Sequence, residues 1–137
     1  MSKMAQRQGL VTIEGISGGT AWATKTGGDV SADVTPVWDG GSQHPEQLAS
    51  PPSADNVTVS RPVDDQRELA EMKRIKKLVG ELRATLTVQP TNGRLFAIGE
   101  PEVYPEALLV RATSFNVDAA SGDSQVWELE WAISDFV

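Results

Sequence analysis

Hydrophobic and polar positions alternate most regularly near the end of the chain. In QVWELEWAI (125–133), Trp127, Leu129, Trp131 and Ile133 share one face, and Val126, Glu128, Glu130 and Ala132 share the other. Period two over this length predicts a strand with one face in a core and one in water. The same period runs through LVTIEGIS (10–17), where Val11 and Ile13 oppose Thr12 and Glu14. It recurs in NVTVSR (56–61), with Val57 and Val59 inward and Pro62 ending the strand, and in RATLTVQ (83–89), with Ala84, Leu86 and Val88 inward. EVYPEALLVRATSFNV (102–117) reads as one or two further strands. PTNGR holds an Asn-Gly turn signal, after which LFAIG (95–99) is expected to return as a short strand, and DAASGDS (118–124) reads as a second turn.

One segment follows a different period. Leu69, Met72, Ile75, Leu78 and Val79 recur at helical spacing, which predicts a single amphipathic helix over 64–80. Asp65 with Glu68 makes a capping-box pattern at its start, and Gly80 sits where a left-handed residue would end it. Acids lead (Asp64, Asp65, Glu68) and bases follow (Lys73, Arg74, Lys76, Lys77), the order that complements the helix dipole.

Residues 18–55 follow neither period. SGGT, KTGGD, WDGG and ASPPSAD break regular elements, so the segment reads as a long irregular loop that is either disordered or orders against a partner. Trp22, Val30, Val34, Val37 and Trp38 argue against a free linker and leave room for a hairpin or strand around 21–38; residues 40–54 read as the most mobile. The order strand, long loop, strand, helix, then a run of strands predicts a mainly β (α+β) domain over 1–137. It would be an antiparallel β-sandwich or half-open barrel with one flanking helix, preceded by an N-terminal arm over 1–9.

Composition narrows what such a domain does. The chain has 137 residues, 39% of them apolar and 23% charged, which suits a modest globular core. No cysteine is present, so no disulfide or thiolate metal site exists. No apolar run reaches the ~20 residues of a membrane span, and MSKMAQRQG lacks the apolar core of a signal peptide, which points to a soluble protein not exported by the usual signal. The formal charge of −7 is uneven: six acids oppose three bases over 1–59, and eight oppose three over 83–137, while 60–82 carries six bases and five acids. Only the helix region would attract a phosphate backbone.

Candidate chemistry is sparse. The one histidine, His44, stands in the Gly/Pro-rich loop without an evident acid/base partner, and reads as solvated. Asp39, His44 and Glu46 lack a metal-loop spacing. SGGT (17–20) and TGGD (26–29) lack the Lys-Ser/Thr and the following helix of a phosphate loop, so they read as turns; Ser17 in GISGG is not a nucleophile elbow. Glu128 and Glu130 share one strand face and read as a solvated sheet face rather than a hydrolytic pair. Trp127 and Trp131 read as core. Trp22 and Trp38 are either core plugs or interface anchors. No convergent nucleophile, acid and base can be assembled, so the chain reads as a non-enzyme without metal or cofactor.

The stretch NVTVSRPVDDQRELAEMKRIKKLVGELRATLTVQPT, followed by PEVYPEALLVRAT and the closing ELEWAIS, resembles the small major tail tube proteins of tailed bacteriophages and related contractile-injection tube proteins. The likeness covers about 56–134 and lies in the order of strand, helix, strand, turn and final acidic-apolar strand. YPEALL (104–109) departs from it, lacking a glycine after the tyrosine. The resemblance implies a β-sandwich or half-open barrel with a flanking helix, closing in homo-oligomeric, hexameric rings that stack into a tube. The 18–55 segment would make ring-to-ring contacts with Trp22 and Trp38 as anchors. Glu128 and Glu130 would face an acidic lumen that conducts DNA during ejection without binding it. Implied partners are other copies and other tail proteins: terminator, tape measure, baseplate and a possible sheath. The location implied is the virion tail, assembled in a host bacterial cytoplasm.

The basic run EMKRIKKLVG (71–80) belongs to the same picture. With Met72, Ile75, Leu78 and Val79 as the buried stripe, Lys73, Arg74, Lys76 and Lys77 spread over the wet faces of the helix. They read as exterior protein contacts, to an acidic neighbour or a sheath, rather than as a DNA site. The competing readings are a ring-forming tail terminator or completion protein, and a small β-sandwich module binding a ligand at the Trp22/Trp38 loop.

Overall fold

The structure, a computed structural model, describes residues 3–16, 22–63 and 69–137. Within them run β1 (Gly9–Ile13), β2 (Thr24–Gly27), β3 (Val30–Ser31), β4 (Val34–Val37), β5 (Glu46–Ala49), β6 (Ser53–Ala54), β7 (Val57–Pro62), α1 (Leu69–Lys76), β8 (Arg83–Pro90), β9 (Glu102–Ala112) and β10 (Val126–Ala132). Six strands form one antiparallel sheet in the order β1-β8-β9-β10-β7-β2, curled into a half-barrel. Of the two architectures expected, the half-open barrel is the one found.

The alternation read from the sequence fills this barrel. Val57 and Val59 of β7, Leu86 of β8, Leu109 of β9, and Trp127, Leu129 and Trp131 of β10 are fully buried on its inner face. Val11 and Ile13 join them from β1, and Met72 and Ile75 from α1. Burying side chains of this size contributes ~1.5–3 kcal/mol each before the entropy of ordering them is counted.

The barrel's two edges meet at one point. Trp22 N–H donates to the Val11 carbonyl (2.8 Å), just before β2 begins. The Trp22 ring then packs 5.1 Å from Trp127, centroid to centroid. The Arg61 guanidinium, 5% exposed, lies 4.3 Å from the Trp22 ring and 5.2 Å from that of Trp127. A planar cation against aromatic faces is favourable where water is excluded.

Four expectations are corrected. The segment 18–55 is not an irregular loop where it is described, and the hairpin or strand left open around 21–38 is present. Val30–Ser31 pairs with Ser53–Ala54, and Val34–Val37 with Glu46–Ala49, so the chain from β2 to β7 makes one long hairpin arm. Its glycines punctuate this ribbon instead of dissolving it. Gly27 and Gly28, at φ +85° and +83°, form the bend where the arm leaves the sheet, and Gly41, at +86°, lies in the tip. Residues 40–54, expected to be the most mobile, include two of the ribbon's strands.

Second, LFAIG is not a strand. Asn92 Oδ1 accepts the N–H groups of Arg94 and Phe96, and Leu95 takes φ 63°, which winds the segment into a compact turn. Third, 102–117 holds one strand, within the one or two expected, but that strand stops at Ala112. Fourth, α1 ends at Lys76: Leu78 N–H reaches back only to Ile75 O, tightening the last turn. Leu69 and Val79 are exposed, so the buried stripe is Met72 and Ile75, with Leu78 half-buried. Gly80 does take a left-handed φ of +88°, and its N–H bonds to Leu109 O. The capping pair Asp65 and Glu68, and residues 17–20, lie outside the described residues.

The registers sort the connections between two ends of the barrel. Residues before Gly9, the hairpin arm, the 91–101 turn and the segment after Ala132 lie at one end. The end of β7, the start of β8 and the loop from β9 to β10 lie at the other.

The bend makes a direct test. A Cβ on Gly27 would stand 2.0 Å from Asn56 O, a backbone atom that cannot turn aside. Gly27→Ala is therefore expected to cost more than the ~1–2 kcal/mol of a left-handed residue alone. It should lower the thermal midpoint in circular dichroism, whereas Gly40→Ala, with open space around its Cβ position, should leave it nearly unchanged.

Candidate assembly surfaces

Three surfaces carry the residues singled out in the sequence. The first is the polar face of the sheet, opposite the tryptophans. Glu128 and Glu130 lie there on β10, both partly exposed. The register opposes Glu130 to Arg111 of β9, and a bulge displaces the strand between Arg111 and Leu109. Arg111 pairs with both acids: Nη2 lies 2.5 Å from Glu128 Oε1, and Nε lies 3.8 Å from Glu130 Oε1. Asn56 Nδ2 donates to Glu130 Oε2 at 3.2 Å. Thr58 and Ser60 continue the face on β7, and Thr24 and Thr26 on β2. This is a hydroxyl-rich wall in which one guanidinium bridges the two carboxylates and offsets one of their two charges, not a bare acidic strip. Arg111 was not among the candidates read from the sequence. Its partner acids are 17 and 19 positions away in the chain, and only the bulged register brings them together.

The second surface is α1. Its four bases do not behave alike. Arg74 is tied to Glu71 through Nε at 2.9 Å and through Nη2 as well. Lys76 donates to Ser114 Oγ, past the end of β9. Lys73 and Lys77 are exposed, and among the described residues no carboxylate pairs with either. Between α1 and residues 113–115 lies a cleft of about 240 Å³, with Leu69, Met72 and Phe115 on its apolar side and Lys73 and Lys76 on its rim. Phe115 is 47% exposed. It too was missed, because 102–117 reads as strand and an inward position would have explained the ring.

The third surface is the arm. β4 and β5 are exposed at every position, so neither face of the ribbon covers a core. Trp38 stands at its tip, 63% exposed, with Val34 and Leu48 exposed nearby. Trp22 and Trp38 are thus separated in role: Trp22, 5% exposed, takes the core alternative, and Trp38 is the one free at the surface. His44 lies in the exposed tip, where Ser42 Oγ donates to its carbonyl at 2.7 Å. Among the described residues no three potential ligand side chains gather into a metal site, and no helix is long and apolar enough to cross a membrane.

The base of the arm is fixed to the barrel at Tyr104. The phenol is buried, donates to Glu102 Oε1 at 2.7 Å, and lies where a Gly28 Cβ would touch it at 2.9 Å. Burial first, then the Glu102 hydrogen bond and the negative charges of Glu102 and Asp29, push its pKa well above the ordinary tyrosine value.

No protein-family model matches the chain, and comparison by sequence with curated proteins gives no match. Comparison by structure does. The fold overlays on a chain of the anti-feeding prophage tube-terminating cap with TM-score 0.78 at 16% identity, covering 100% of this chain and 91% of that one. It overlays on a chain of the PVC extracellular contractile injection system sheath/tube terminator in the extended state with TM-score 0.78 at 18% identity, covering 100% and 96%. A chain of the PVC sheath–tube complex gives TM-score 0.74 at 19% identity, covering 98% and 90%. At these identities the likeness is one of fold, and it spans this chain from end to end.

Because the folded phenol holds its proton more tightly than the unfolded one, its contribution to stability is present below the unfolded tyrosine pKa of ~10 and is lost as pH rises above it. Urea midpoints of the wild type should therefore fall between about pH 10 and 11.5 more steeply than those of Tyr104→Phe. Equal slopes would remove Tyr104 from this account.

Proposed function

We propose that the chain is a structural subunit of an injection or tail tube, closing into rings, hexameric by the resemblance, that stack around a continuous bore. The observation that supports it most is a half-barrel whose edges, among the described residues, meet at the single bridge between Val11 of β1 and Trp22 just before β2, in a fold shared along the whole chain with tube and tube-terminator assemblies. Edge strands left open offer unpaired backbone groups that a neighbouring copy can take up. An enzymatic role has no support from these neighbours, which belong to structural assemblies.

In such a ring the polar sheet face is the natural bore lining. Glu128, Glu130 and Arg111 with the threonines and serine of β2 and β7 would make a wall that conducts its cargo without holding it. DNA is the cargo that the sequence resemblance suggests. Arg111, already paired with both acids, is not free to hold a phosphate backbone, and Arg83 at the far end of the same face is the cation left without a carboxylate among the described residues.

A tube terminator is the second reading, favoured by the two overlays at TM-score 0.78 on chains of terminating assemblies. Negative-stain microscopy of purified protein separates the two. Long tubes are expected; rings that never stack would place the chain at a tube's end, and a monomer at all concentrations would sink both readings. A second measurement addresses the bore. Wild-type assemblies should not shift duplex DNA at low salt. Glu128→Lys with Glu130→Lys, which puts two lysines beside Arg111, should retain DNA in a salt-dependent way, and indifference to the change would remove these residues from the lining.

A further inference from the structure

The two ends of the barrel carry unlike surfaces that complement each other. The arm between Gly28 and Asn56 contains Asp29, Asp33, Asp39, Glu46 and Asp55, and no lysine or arginine. Most of the chain's net charge of −7 therefore sits on this ribbon. The ribbon ends in an exposed tryptophan and has no core under either face. A lone two-stranded hairpin is marginally stable in water, so an arm of this kind gains from a surface to lie on. At the opposite end, the α1 cleft offers an apolar seat made by Leu69, Met72 and Phe115. Exposed Lys73 stands on the rim of this cleft and exposed Lys77 just past the end of α1, and among the described residues neither has an acid partner.

We infer that the arm of one copy docks head to tail on the α1 cleft of a second copy. Trp38 fills the apolar cleft, and the arm's carboxylates lie against Lys73 and Lys77. The inference deepens the stacked-ring reading and rests on it by naming the surface that receives the arm. The contact is between copies, because the arm leaves the barrel at the end away from α1 and extends ~30 Å, at about 3.3 Å per residue over 28–37. The fit joins an aromatic anchor in an apolar seat to a rim of opposite charges, the arrangement that gives an interface both affinity and orientation. It assigns the helix bases to another copy of this chain rather than to a sheath.

Charge exchange tests this on the full-length chain. Asp33→Lys with Asp39→Lys and Glu46→Lys gives a basic arm; Lys73→Glu with Lys77→Glu gives an acidic helix. All five positions are exposed, and far-ultraviolet circular dichroism checks that both variants are folded. Each variant alone should lose at least tenfold of the assembled fraction in sedimentation velocity. Mixed together they should assemble again, because each then meets an opposite charge at both ends. Assembly of either variant at the wild-type level, or failure of the folded pair to co-assemble, overturns the inference.

A photoreactive p-benzoylphenylalanine at position 38, in an otherwise native chain, gives an independent readout. Crosslinks between copies from position 38 to residues 69–77 or 113–117 support the docking. Crosslinks to the 29–55 arm of another copy, or to the barrel elsewhere, overturn it. If the wild type never forms stacked particles, the tube reading fails, and the crosslinked peptides still decide where the arm lies.

Discussion

Closure of the sheet around Arg61 is the constraint on which the rest of the structure depends. A six-stranded antiparallel sheet of this length has two edges, and its curl brings them together at the Trp22–Val11 hydrogen bond. The closing residue is large and aromatic, and it lands on a cation already seated on Trp127. The half-barrel is therefore filled at its seam by a side-chain stack instead of by more backbone pairing. Core packing behind it, from Val57 to Trp131, is ordinary. The seam makes the difference between a curled sheet and a flat one. Among the described residues it also leaves most of β1 and β2 without a paired strand on their outer sides.

From that seam the chain does something unusual for a domain of this size. It sends about a fifth of its residues out as a ribbon with nothing beneath it. The bend at Gly27 and Gly28 is set against Asn56 and the Tyr104 hydroxyl, so the ribbon's exit direction is held by close backbone and side-chain contact. Exposure of valine, leucine and tryptophan along such a ribbon would be a liability for a monomer. Five carboxylates without a base keep it from pairing with itself, since like charges would face each other. Charge and apolar character thus restrict what the ribbon can meet more narrowly than either would alone.

Much of this was legible in the sequence, and the losses have physical causes. Val57, Val59, Leu86, Trp127, Leu129 and Trp131 followed period two because one face of their strands is buried in their own chain. The arm gave no such signal. A ribbon wet on both faces needs no alternation, and its Gly-Gly and Pro-Pro pairs look the same in a loop as in a bent hairpin. LFAIG misleads for a related reason: its apolar side chains suggest burial, while Asn92 builds a turn that exposes Leu95 and Phe96. On the surfaces, facing and spacing put Glu128 and Glu130 on the polar strand face and Lys73 on the wet side of the helix, and left Trp38 open between core and surface. Arg111 and Phe115 were not, because a bulge sets the register that brings Arg111 to its acids, and the end of β9 at Ala112 leaves Phe115 beside α1.

The unlike ends of the barrel have one more consequence. A stack of molecules whose top differs from its bottom has a direction, and every added layer presents the same surface as the one before it. Nothing in a repeating contact of that kind counts the layers. A column built this way would grow from a fixed starting face until material or space ran out. Its length would be information held outside the subunit, imposed by whatever starts the column and whatever covers its last open face.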